Sequence, residues 1–149
     1  MLKGLHPLLA PDLLYALAAM GHGDELAIVD ANFPAARLAT RVVRIDGADT
    51  EALGRAVLSV FPLDGGGDPP IVRMEVIDDP NEIPPVQRRF YELVASNVGD
   101  VKPTASLARA DFYERTRSAF VVLVTGETQP YGCFLLRKGF INANGASGR

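Results

Sequence analysis

The chain has no tryptophan, one cysteine and two histidines among its 149 residues. A lone cysteine, Cys133, closes no internal disulfide and builds no thiolate metal cluster, so nothing points to an oxidising compartment. Two histidines, His6 and His22, cannot form a zinc site from histidine alone. Long hydrophobic runs are missing too. None approaches the roughly 20 residues that span a bilayer, and Ala119 to Val124, six residues, suits a buried strand. The opening Met1-Leu-Lys-Gly-Leu-His-Pro7 lacks a basic segment followed by an apolar one, so no targeting peptide is expected. There is no excess of positive charge. Fifteen Lys and Arg stand against 18 Asp and Glu, for a net charge of −3, which argues against a nucleic-acid partner bound on a basic face. No phosphate loop of the G-x-x-x-x-G-K-[ST] type and no G-x-S-x-G elbow occurs, and Gly65-Gly66-Gly67 is no dinucleotide fingerprint. These absences predict a cytoplasmic protein that engages neither membrane nor nucleic acid.

What is present suits one globular domain: 48% apolar and 22% charged residues in a chain long enough to bury about two-thirds of its unfolded surface. Residues 1–141 form the expected domain, and the Asn/Gly/Ser-rich residues 142–149 a flexible tail. Leu9, Leu13, Leu14 and Leu17 recur at helical spacing within Pro7–Met20, with Asp12 near the positive end of the helix dipole and Gly21 placed to stop the helix in a left-handed conformation. Asp49–Phe61 carries an apolar stripe of Ala52, Leu53, Ala56, Val57, Val60 and Phe61, capped by Asp49 or Thr50. Pro84–Ser96 and Asp111–Arg117 are further helices. Strands are expected at Glu25–Asp30, Arg41–Ile45, Ile71–Ile77, Ala119–Thr125 and Cys133–Arg137, and Leu63–Pro70 is a loop by composition. This alternation predicts an α/β sheet covered on both faces. The last two strands, joined only by Gly126–Gly132, are expected to pair antiparallel. Ligands of such sheets sit at the carboxyl ends of strands.

Three polar clusters could carry chemistry. In the first, Gly21-His22-Gly23-Asp24-Glu25 precedes a strand that ends in Asp30-Ala31-Asn32. Glycines on both sides of His22 permit close ligand approach, and imidazole titrates near neutrality. A solvated turn histidine explains the same pattern, and His6 beside Pro7 has a structural or merely exposed role. A metal held by His22, Asp24 and Asp30 lacks supporting spacing. The second cluster runs from Arg109 to Arg115. Arg109 can grip an oxyanion or a pair of hydroxyls, whereas Arg115 and Arg117 suit surface pairs with Asp111 and Glu114. In the third, Tyr131-Gly132-Cys133 can offer a phenol and a backbone amide to a pocket, or form a hairpin with Tyr131 at its edge. Cys133 opens an apolar strand and reads as a small buried residue rather than a nucleophile.

Taken together, LxxLHPLLAPDLLYALAAMGHGDELAIVDANFPA, ARADFYERTRSAFVVLVTGE and YGCFLLRKG resemble the D-ribose pyranase/L-fucose mutarotase (RbsD/FucU) family from about Leu2 to Gly139. FYER and Arg109 are similar to the L-fucose mutarotase branch, because the ribose branch usually carries histidine near Arg109. The resemblance implies a three-layer α/β/α sandwich with a mixed, mostly parallel sheet. It implies an isomerase that interconverts the α and β anomers of L-fucose or a related monosaccharide, with no metal and no organic cofactor. It assigns His22 as general acid, Asp30 and Arg109 as holders of sugar hydroxyls, and Tyr131 and Gly132 as pocket lining. Cys133 stands where the family usually has asparagine, so a backbone contact survives there while a side-chain contact is lost or altered. Relatives form rings, commonly decamers of two pentamers, with sites near subunit boundaries. The alternatives are pyranose–furanose conversion of D-ribose, a sugar-binding module without catalysis, and a ring protein whose site has decayed.

Overall fold

The computed structural model describes residues 2–98, 104–143 and 145. In chain order the elements are α1 (Pro11–Ala19), β1 (Glu25–Val29), α2 (Ala35–Leu38), β2 (Val42–Ile45), α3 (Thr50–Leu58), β3 (Ile71–Met74), α4 (Pro85–Val98), β4 (Ala105–Leu107), α5 (Arg109–Arg117), β5 (Val121–Thr125) and β6 (Phe134–Arg137). Six strands make one sheet in the order β2-β5-β1-β6-β3-β4. β2, β5 and β1 run parallel, as do β3 and β4, and β6 runs antiparallel to both β1 and β3. The sheet is therefore mixed and mostly parallel. Most of the expected tail lies outside the described residues, which include only 142, 143 and 145 of it.

The central strands are apolar almost throughout because both faces are covered. Side chains alternate between the faces. Leu26, Ile28, Val121, Leu123, Phe134 and Leu136 point to the side carrying α1, α3 and α4. Ala27, Val29, Val122, Val124, Cys133 and Leu135 point to the side carrying α2 and α5. Three layers result.

Local chemistry sets the helix ends, with two corrections to the expected pattern. α1 begins at Pro11, not Pro7. Ala10 precedes a proline and is held extended at ψ 159°, while Pro11 takes the first helical turn, where its missing N–H is harmless. The helix stops because Met20 turns extended, not through a left-handed Gly21. The positive φ falls two residues later, at Gly23 (+86°). α1 has no basic residue in its last turn. Lys138, just after the distant β6, supplies the cation, donating from Nζ to the Leu17 and Met20 carbonyls at 2.8 and 2.6 Å. At α3 the capping alternative resolves to Asp49, whose carboxylate accepts from the Ala52 N–H at 2.7 Å.

The expected hairpin of the last two strands is also corrected. β5 and β6 run in opposite directions, but β1 lies between them. A short connection fixes direction; the neighbour is decided by β1, which pairs parallel with β5 on one side and antiparallel with β6 on the other.

The α3–α4 contact is closed by Phe90, fully buried and stacked on Phe134 with ring centroids 4.0 Å apart. A Cβ at Gly54 of α3 would stand 2.6 Å from the Phe90 ring. Alanine gains about 1 kcal/mol in helix propensity, but overpacking a ring that cannot withdraw costs roughly 1–3 kcal/mol. Gly54→Ala is therefore expected to lower the thermal midpoint, as read by circular dichroism.

Candidate active site

Asp30 follows the last residue of β1 at the carboxyl end of the parallel strands. It is buried, at 5% exposure. An unpartnered carboxylate there would be costly. Two donors meet it: the Asn32 N–H on Oδ1 at 3.0 Å and the Cys133 thiol on Oδ2 at 3.2 Å. Arg109 opens α5, and with Asp30, Asn32, Tyr113, Ile77 and Tyr131 it lines a pocket of about 240 Å³. Tyr113 is fixed edge-on against Phe33, ring centroids 5.1 Å apart. Asp30, Arg109 and Tyr131, expected together on sequence grounds, thus share one cavity.

The segment from Tyr131 to Cys133 is pinned one carbonyl at a time. Gln87 of α4 donates to the Tyr131 carbonyl at 2.9 Å, Thr50 of α3 to that of Gly132 at 3.3 Å, and the Met74 N–H to that of Cys133 at 3.1 Å. Tyr131 has a φ of +67°, a conformation costing a bulky residue on the order of 1–3 kcal/mol. At Gly132 a Cβ would press on Thr50, Glu127 and Val86 at 3.0–3.2 Å, so glycine is needed there for room. The hairpin-edge alternative for Tyr131 falls with the hairpin itself.

Cys133 is fully buried and does not line the pocket. Its thiol reaches the cavity only through Asp30. Burial, with the Asp30 charge beside it, pushes the thiol well above its ordinary value.

His22 lies elsewhere. It precedes β1, whereas Asp30 follows it, and the five residues between Asp24 and Asp30 span about 17 Å at the rise of a strand. Its half-exposed imidazole borders an apolar groove of about 450 Å³ with Leu14, Met20, Val60, Phe140 and Ile141. Its ring stands edge-on to Phe140 at 5.3 Å, and Nε2 lies 3.7 Å from Asp64 Oδ1. Asp64 is held below the usual carboxylate range chiefly by the Gly66 N–H and then by Arg137 and His22, against burial, which raises it. The same separation sets Asp30 apart from His22 and Asp24 as joint metal ligands; among the described residues no group of three or more His, Cys, Asp or Glu side chains is arranged to hold a metal.

Other polar residues have structural employment. His6 accepts the Leu8 N–H at 3.2 Å. Arg117 pairs with Glu114 at 3.2 Å as expected, but Arg115 leaves Asp111 for Glu25, gripping it with two bonds of 3.0 and 2.6 Å that tie α5 to β1. Asp64 and Gln87 were not singled out by sequence. One sits in a glycine-rich loop and the other on a helix face, and neither carries a local signal. Because Cys133 is the only cysteine, its burial has a clean readout: the folded protein resists iodoacetamide at mildly alkaline pH and reacts once unfolded, as followed by mass spectrometry.

Comparison with known proteins gives the family. The sequence profile of the RbsD / FucU transport protein family matches residues 3–141. The L-fucose mutarotase of Histophilus somni (strain 2336) is 41% identical over 139 residues, covering 93% of this chain and 96% of that one. The fucose mutarotase of Homo sapiens is 42% identical, with 96% of each chain covered. The crystal structure of the fucose mutarotase from Streptococcus pneumoniae in complex with L-fucose superposes with a TM-score of 0.89 at 36% identity, covering 95% of this chain and all of that one. By profile, identity and fold alike, the chain belongs to the RbsD/FucU family.

Proposed function

We propose that the protein is a mutarotase that interconverts the α and β anomers of L-fucose, or of a closely related monosaccharide, in the cytoplasm, and that each site joins two copies of the chain. Asp30, Arg109, Tyr131 and Gly132 of one copy bind the sugar, and His22 of a neighbour supplies the proton. The similarity to fucose mutarotases over nearly the whole chain supports the reaction. The shared site is carried by the placement of His22 and Asp30 at opposite ends of β1. Among the described residues, the Asp30 end has a polar cavity of about 240 Å³ but no histidine lining it, and the His22 end borders an apolar groove. The exposed apolar side chains around His22, among them Phe140 and Ile141, suit a surface covered by another copy in a closed ring such as a decamer of two pentamers.

The chemistry is proton transfer. As the bond from the anomeric carbon to the ring oxygen breaks, the imidazolium of His22 gives its proton to the ring oxygen and the anomeric hydroxyl releases its own to water. The open aldehyde rotates, and closure on the other face reverses both transfers. Positioned acid–base help is worth about 10²–10⁴ in rate, enough for a reaction that water already supports. Asp30 accepts hydrogen bonds from sugar hydroxyls; its orientation is set by Asn32 and Cys133. Arg109 donates to hydroxyl oxygens with its fork. Cys133 contributes at most backbone to the sugar, its thiol being turned to Asp30.

Anomer exchange measured by saturation-transfer NMR, with L-fucose and D-ribose side by side, tests the reaction. Faster exchange of L-fucose than of D-ribose is expected, and rates equal to the buffer control would leave a binding module. His22→Gln and Asp30→Asn oligomers are each expected to lose the acceleration. Dissociated, mixed and reassembled, they regain about a quarter of the parent rate, because random mixing restores one complete site in four. No recovery on verified co-assembly would place both residues in one subunit's site.

A further inference from the structure

The carbonyl of Tyr131, whose backbone is left-handed, is held by a buried polar chain. Gln87 is fully buried on α4. Its amide nitrogen donates to the carbonyls of Met74 and Tyr131 at 2.7 and 2.9 Å, and its amide oxygen accepts from Arg73 Nη1 at 3.3 Å. Arg73, buried on β3, uses Nη2 to reach the Pro80 carbonyl at 2.6 Å. Among the described residues no carboxylate pairs with this guanidinium, so neutral oxygens take its donors. Pro80 belongs to the loop between β3 and α4. In the same loop the Ile77 N–H donates to the Tyr131 phenol oxygen at 3.3 Å. The ring of Tyr131 is thus held at its tip by a loop that Arg73 anchors, and its backbone is held by the glutamine that Arg73 orients.

We infer that Gln87, oriented by Arg73, is a positioning residue that holds Tyr131 in its left-handed conformation and thereby sets the wall of the sugar pocket. This rests on the proposal that Tyr131 lines the sugar site. Only a neutral amide meets all three partners at once, donating to two carbonyls while accepting from the arginine. Glutamate would satisfy Arg73 but turn a carboxylate against two carbonyl oxygens. Methionine would fill the volume and make none of the bonds.

The chain has four tyrosines, so ¹³C-tyrosine labelling of the sugar-free protein gives a short spectrum in which Tyr131 is assigned by its loss in Tyr131→Phe. In Gln87→Met the Tyr131 Cα resonance is expected to shift while the other three stay. The L-fucose concentration that half-saturates exchange rises about fivefold at nearly unchanged kcat, the loss of one buried hydrogen bond expressed in binding. In a Tyr131→Gly background, where left-handed φ is free of strain and the phenol is gone, Gln87→Met changes that concentration by less than about twofold. An unmoved Tyr131 resonance, or the same fold-change in both backgrounds, overturns the inference. If the parent does not accelerate exchange, the proposed function fails while the resonance still decides the positioning role. If Gln87→Met does not fold, Arg73→Met takes its place, with the same shift expected and the same result overturning the inference.

Discussion

The antiparallel pairing of β6 with β1 is the constraint on which both candidate half-sites depend. It matches Ile28 with Phe134 at one end and Glu25 with Arg137 at the other. The residues just before β6, Tyr131 to Cys133, are thereby delivered to Asp30. Those just after it, Lys138 to Phe140, are delivered to His22, with the Gly23 N–H on the Lys138 carbonyl and the Lys138 N–H on the Asp24 carbonyl, both at 2.8 Å. A slip of one residue would turn Cys133 and Leu135 to the opposite face of the sheet and take the thiol from Asp30. The apolar alternation on both faces forbids that slip, so core packing and site geometry are one requirement.

At the carboxyl end, the cost of a buried carboxylate and of a left-handed tyrosine is offset by hydrogen bonds from elements far apart in sequence. Asp30 draws on its own loop and on Cys133; Tyr131 draws on Gln87 of α4 and on Ile77. Such a site is rigid before any ligand arrives, which suits the orientation of several hydroxyls at once. The other end is built differently. His22 stands half exposed over apolar side chains, with Asp64 beside it as a fixed negative charge. A neutral sugar needs no long-range steering, which fits a chain with a net charge of only −3.

Much of the fold was legible in the sequence. β1, β5 and β6 announce themselves as apolar runs, and α3 by its stripe and the capping pair Asp49 and Thr50. α2, with four residues, and β4, with three, are too short for periodicity to register. The neighbour of β6 was hidden because loop length constrains direction alone. Within the site, Asp30, Arg109 and Tyr131 were singled out by residue type and by the family resemblance, and they do meet in one cavity. His22 lies only eight positions from Asp30, but an extended strand converts those positions into distance. Gln87 left no trace, because its contact with Tyr131 joins residues 44 positions apart and a glutamine on a helix is ordinarily read as solvent-facing.

A complete site is proposed to need two chains. A crystal structure of the assembled protein with L-fucose tests it most directly. Sugar oxygens are expected within hydrogen-bond distance of Asp30 and Arg109 of one subunit and of the His22 imidazole of another. A sugar bound wholly within one chain, with no imidazole of a neighbour at its ring oxygen, would contradict it.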